Sequence, residues 1–195
     1  MSEKLNELLG RLHEVEEAIQ QEIEKSRTEF RYRVEHGRVR FDAEVHRRHR
    51  ELREGWLSFL SRTRLLVVLT APVIYSLIIP FVILDIFVSV YQAICFPVYG
   101  IPKVRRRDYI AIDRQHLAYL NGLQKVNCVY CGYCNGLVSF VREVAGRTES
   151  YWCPIKHARR LASTHEHYGD FADYGAAETL RQDWDASREK VQKDE

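Results

Sequence analysis

The sequence predicts a mainly α-helical, membrane-anchored protein with a short N-terminal β-hairpin and a small Cys-rich metal-knuckle domain. Three observations lead there. Leu65 to Leu84 is a run of twenty residues without a charge, and a helix of that length covers about 30 Å, the hydrocarbon thickness of a bilayer. Phe30, Tyr32 and Val34, then Val39 and Phe41, alternate with arginine on either side of Glu35-His36-Gly37, the period-two pattern of a hairpin. Four of the five cysteines fall between Cys128 and Cys153, and no apolar leader opens the chain. Thiols in that setting stay reduced and point to metal binding rather than disulfides.

A chain of 195 residues holds one modest domain beside a membrane segment. The net charge of +2 hides an asymmetry: residues 31–64 hold ten Lys/Arg against five Asp/Glu, and 165–195 hold four against nine. Basic residues beside an apolar run read as membrane flanks. The lipid bilayer is therefore the expected partner, and nucleic acid is not. The composition divides the chain into an N-terminal helix (1–29), a hairpin with a basic amphipathic helix (30–64), a membrane anchor (65–102), a Cys/His domain (103–168) and an acidic tail (169–195).

In order, Leu5, Leu8, Leu12, Val15 and Ile19 recur at three- and four-residue steps, which predicts a helix over 3–28. The apolar heptad positions end at Glu22, too few repeats for a firm coiled coil. This helix is expected to pair with another membrane protein, with itself, or with the protein's own body. After the hairpin, Asp42 is placed to cap a helix running to about residue 63, with Val45, His49, Leu52, Trp56 and Leu60 as one stripe. His46 and His49, among arginines, read as a solvated face.

The apolar run carries Pro72, Pro80 and Asp85, with Arg62 and Arg64 before it and Lys103, Arg105, Arg106 and Arg107 after it. Positive charge favours the cytoplasmic side, so basic flanks at both ends favour a hairpin turning near Asp85 or a re-entrant wedge over a single span. Beyond it, 109–112 reads as a short strand and 114–125 as a helix capped by Asp113, with His116 a surface or core residue.

Cys128-x2-Cys131-Gly132 has the form of a metal knuckle, in which glycine opens the backbone to a positive φ. With Cys153, and with His157 one turn further on if Pro154 starts a helix, it makes a Cys3His set for zinc or a rubredoxin-like iron. Cys134 is the alternative fourth ligand. Cys128, Cys131, Cys134 and the remote Cys153 also match the ligand pattern of a 4Fe-4S cluster. A helix over 135–148 would fill the interval. Cys95 lies in the apolar run as a packing residue, His165-x-His167 is read as a polar loop, and the tail is expected to form a charged helix over 176–190.

The words LTAPVIYSLIIPFVILD, ICFPVYGIPKVRR, HLAYLNGLQKVNCVYCGYCNGL and YWCPIKHARR resemble a family of uncharacterised small bacterial membrane proteins. The resemblance covers roughly residues 30–165 and implies a membrane-associated bacterial protein with a Cys-based motif. Taken with the basic flanks, which favour the cytoplasmic side at both ends of the anchor, it leads to the expectation of a bacterial inner-membrane protein with its soluble parts cytoplasmic. There is no Ser/His/Asp set, no phosphate-binding glycine loop and no pair of acids at a recognisable spacing. The expected function is therefore non-enzymatic: a scaffold or assembly partner stapled by one structural metal. The alternative is a membrane-surface redox carrier using iron at the same cysteines.

Overall fold

The computed structural model describes residues 3–35 and 38–193 and is mainly helical. Helix α1 spans Glu3–Glu29 and leads into strands β1, Tyr32–Glu35, and β2, Arg38–Phe41. The strands pair antiparallel, Tyr32 opposite Phe41 and Val34 opposite Val39, so the apolar residues share one face as the alternation requires. The predicted turn at His36-Gly37 lies outside the described residues. Helices α2 (Ala43–Glu51), α3 (Trp56–Arg62), α4 (Leu65–Ser76), α5 (Ile78–Tyr99), α6 (Gly122–Trp152) and α7 (Leu180–Lys193) follow.

The chain forms two compact units. One runs to Phe59 and takes in Asp113–Lys125; the other holds Leu60–Ile112 and the chain from Val126 on. In the first, the helix expected to reach residue 63 stops at Glu51, and α3 starts only after Gly55. Asp42 precedes α2 but makes no side-chain cap. Its carboxylate accepts from Arg31 Nε at 3.1 Å instead. That tie holds the end of β2 against the turn that leaves α1.

In the second unit, α4 and α5 form one apolar rod with a hitch at Leu77, which stays right-handed helical at φ −63°, ψ −15°. Pro80 lacks the N–H that would bond Ser76 O, in line with the interruption at Leu77, although Pro72 and Pro97 sit inside α4 and α5 without one. The expected hairpin turn near Asp85 is absent: Asp85 sits inside α5. A single carboxylate does not reverse a chain whose neighbours on both sides are good helix formers. Phe81, Asp85, Val88, Gln92, Phe96 and Tyr99 form the inner stripe of α5, at steps of three and four residues. It packs on Leu137, Phe140 and Val144 of α6. Phe96, Leu137 and Phe140 are fully buried, each worth roughly 1.5–3 kcal/mol.

Contacts along this interface rise together in number. The Tyr130 hydroxyl donates to Ile74 O at 2.7 Å, Tyr91 meets Thr148 at 3.0 Å, and Tyr99 stacks on Tyr151 at 5.0 Å. The rod and α6 therefore run parallel, and the chain between them has to come back. Gly100, at φ 70°, ends α5 in the left-handed conformation while Ile101 N–H returns to Phe96 O at 2.9 Å. From there the strap Ile101–Ile112 runs back with only a 3-10 turn at Arg106–Asp108. The expected strand at 109–112 is not formed, and the expected helix over 114–125 is only a 3-10 turn at Arg114–His116 before α6 begins.

The strap is fastened residue by residue. Buried Gln92 offers Oε1 to Val104 N–H at 3.1 Å and donates to Val104 O at 3.4 Å, standing in for a missing strand partner. At the far end α7 covers the C-termini of α5 and α6. Trp184 Nε1 and Arg188 Nε donate to Tyr151 O at 3.0 and 2.8 Å, Ser187 Oγ to Ser150 O at 3.0 Å, and Gln192 Nε2 to Tyr99 O at 2.7 Å. These carbonyls have no partner within their own helices.

Candidate functional site

Asp85 is the one charge in the apolar rod, and the strap supplies its partner. Arg106 Nε and Nη2 reach the two carboxylate oxygens at 3.0 and 2.6 Å, and the Tyr133 hydroxyl donates to Oδ2 at 2.9 Å. The Asp85 hydrogen bond holds the Arg106 guanidinium above its ordinary pKa. Forked arginine–carboxylate geometry adds orientation to charge. The pair pins the strap to α5 while Tyr133 ties α6 to the same point. Asp85 thus joins three segments from inside a helix, where the sequence reading expected the chain to turn.

The cysteines take positions the spacing did not foresee. Helix α6 is unbroken from Gly122 to Trp152, so Cys128, Cys131 and Cys134 lie along one continuous helix, only Cys131 of them exposed, and no knuckle forms. Among the described residues only Gly100 and Gly175 are glycines with positive φ, so Gly132 does not open the backbone. Cys153 follows the last helical residue, about 33 Å along the axis from Cys131 at 1.5 Å per residue. Pro154 does not start a helix: the chain beyond Cys153 is extended, and Ile155 bridges Ala172. His157 lies on that stretch, its N–H donating to the Tyr168 hydroxyl at 2.7 Å. The structure therefore does not bring Cys128, Cys131, Cys153 and His157 into one site, and among the described residues no group of three or more His, Cys, Asp or Glu is arranged to hold a metal ion. Cys134 is buried, and burial pushes its thiol up, against the thiolate form a ligand needs.

Sequence reasoning missed the polar cluster on the second half of α6. Glu143 is 8% exposed, accepts from Arg147 Nε at 2.7 Å and meets His167 Nε2 at 3.2 Å. Arg147 also donates to Pro102 O at 3.0 Å, and His165 Nε2 meets Glu149 at 2.9 Å. The His167 hydrogen bond, with Arg147 behind it, holds the Glu143 carboxyl at about 2 despite its burial. His165-x-His167 is thus a staple that ties the loop before Phe171 onto α6. Its partners lie 16 and 24 residues upstream, beyond any local pattern.

The first unit holds an aromatic groove of about 430 Å³, lined by Phe30, Tyr32, Phe41, His49 and Tyr119 among others. His49 stands edge-on to Phe41 and Tyr119, both at 5.1 Å. Its Nδ1 is buried without a hydrogen-bond partner. The solvated face expected for His46 and His49 is solvated only at His46.

The largest uncovered feature is the rod itself. Leu65–Tyr99 is long and apolar enough to cross a membrane, and its outer side is bare. Phe87 is 71% exposed and Val98 77%. Water-exposed apolar surface of this extent marks an interaction face. No protein-family profile, curated protein or solved structure matches the chain.

Proposed function

We propose that the protein is a membrane-attached, non-enzymatic scaffold of the bacterial inner membrane. The observation that carries this is the bare apolar side of α4 and α5. The inner stripe of α5 is used up in packing against α6, so the outer one is left for lipid. The sequence's likeness to small bacterial membrane proteins supports the same medium. In this reading the second unit is the anchor, and α1 is an arm for a partner membrane protein or a second copy. Val15 and Ile19 stand exposed on that arm.

Metal plays no part in this reading. A zinc staple, or a redox carrier with iron at the same cysteines, requires α6 to open between Cys131 and Cys153. Zinc or iron at one per chain, lost with His157→Ala, would establish such a second conformation.

Fractionation tests the anchor. The protein is expected in the membrane pellet, resistant to high salt and released by detergent. The double variant Phe87→Asp, Ile94→Asp is expected to shift at least half of it to the soluble fraction. Wild-type protein that stays soluble and monodisperse without detergent would overturn the proposal.

A further inference from the structure

We infer that the rod lies in the plane of one leaflet, with its outer face in lipid, and does not cross the bilayer. This rests on the membrane attachment proposed above and specifies its geometry.

The first argument is the return path. Tyr130 bonds Ile74 and Tyr99 stacks on Tyr151, so α6 starts beside the first half of the rod although the chain left the rod at Gly100. From the level of Tyr99 back to that of Tyr75 is about 36 Å of helix axis. Within this unit the returning chain, residues 101–112, holds only one three-residue 3-10 turn. Non-helical backbone survives at membrane depth only where protein or water covers it. On the strap, Lys103, Arg105 and Arg107 are exposed. A rod set across the bilayer would drag those charges and that backbone through hydrocarbon.

The second argument is length. A helix of 35 residues measures about 52 Å, against a hydrocarbon core of about 30 Å.

The third is the pattern. At 100° per residue, Leu65, Leu69, Ile83, Phe87, Ile94 and Val98 fall within roughly 40° of one line along the whole rod. All six are more than half exposed. Asp85, Gln92 and Phe96 face the opposite way, onto α6 and the strap. Leu66, Val73, Ile79 and Ile86, to either side of that line, are also more than half exposed, so the bare side is broad and runs the full length of the rod. Lying in the plane, it sinks about 5–10 Å into the headgroup–acyl boundary. The strap's cations then stand beside the headgroups, where anionic lipid favours them.

The test uses full-length protein in vesicles of phosphatidylcholine and phosphatidylglycerol, with one tryptophan added per variant: Leu69→Trp, Ile83→Trp or Val98→Trp. Quenching of the added signal by lipids brominated at shallow or deep acyl carbons reads its depth. Melting curves matching wild type show that each variant folds. The in-plane rod predicts similar shallow depths at all three positions and protease access to residues on both flanks from one side. A deep maximum at Ile83→Trp, or flanks cut from opposite sides, would overturn the inference and leave the anchor standing. Failure to bind the vesicles at all would sink the anchor and the inference together.

Discussion

At the scale of the residue, Gly136 decides whether the strap can lie where it does. A Cβ built there would stand 2.6 Å from Tyr109 O and 2.8 Å from Ile110 Cα, both backbone atoms that cannot swing aside. Gly136→Ala is expected to cost about 2 kcal/mol or more, as overpacking does, read as a lower melting temperature of detergent-purified protein. Gly55→Ala, with open space around it, is the control. Glu143 makes the second residue-scale prediction. Its carboxyl is held at about 2 in the fold, below its ordinary 4.5, so its contribution is fully present above pH 4.5. That contribution is lost as pH falls from there towards 2. A shift of this size corresponds to about 3 kcal/mol at most. Glu143→Gln is expected to lower stability at neutral pH by about 2 kcal/mol and to flatten the acid limb of a stability-against-pH curve. An unchanged acid limb would place the acid sensitivity elsewhere.

At the scale of the element, α6 and α7 depend on each other in a way neither announces. Helix α7 is polar over most of its surface, yet Val191 is 1% exposed and four of its side chains satisfy carbonyls at the ends of α5 and α6. Trp184→Phe keeps the ring and removes one of two donors to Tyr151 O; a loss of about 1 kcal/mol is expected. Truncation after Gly175 removes all four donors and is expected to turn cooperative melting of the second unit into a broad transition. The sequence made α7 legible to within a few residues, because an acidic segment with Trp184 and Val191 has few other ways to hide them. It made the second half of α6 legible, as a helix over 135–148, and missed the first half for a definite reason. Cys-x2-Cys-Gly is ambiguous between a knuckle and a helix face, and only tertiary packing chooses. The G-x3-G spacing of Gly132 and Gly136 was the available signal, since small residues four apart mark a helix face that another chain approaches closely.

At the scale of the whole molecule, the two kinds of order were unequally written in the sequence. The hairpin was legible because β1 and β2 are neighbours and alternation fixes their faces. The apolar rod was legible as apolar, and no more, because it is apolar all round. Which side would be covered depended on α6 and on a strap whose course no periodicity encodes. Basic clusters at both ends suggested a hairpin turning near Asp85; the rod instead runs on to Tyr99, and the chain doubles back only after Gly100, through Ile101–Ile112.

The roof formed by α7 also sets a schedule. A ribosome releases the rod before the core residues that cover it have been made: Leu137, Phe140 and Val144 come some forty to fifty residues after Phe96, and Val191, from the same core, about a hundred after it. Throughout that interval the nascent helix offers apolar surface on both sides. Its outer side can settle on a membrane at once, whereas its inner side has to wait until α6 and α7 have been made. Delivery to the bilayer during synthesis is thus the order of events that leaves the least surface open to aggregation.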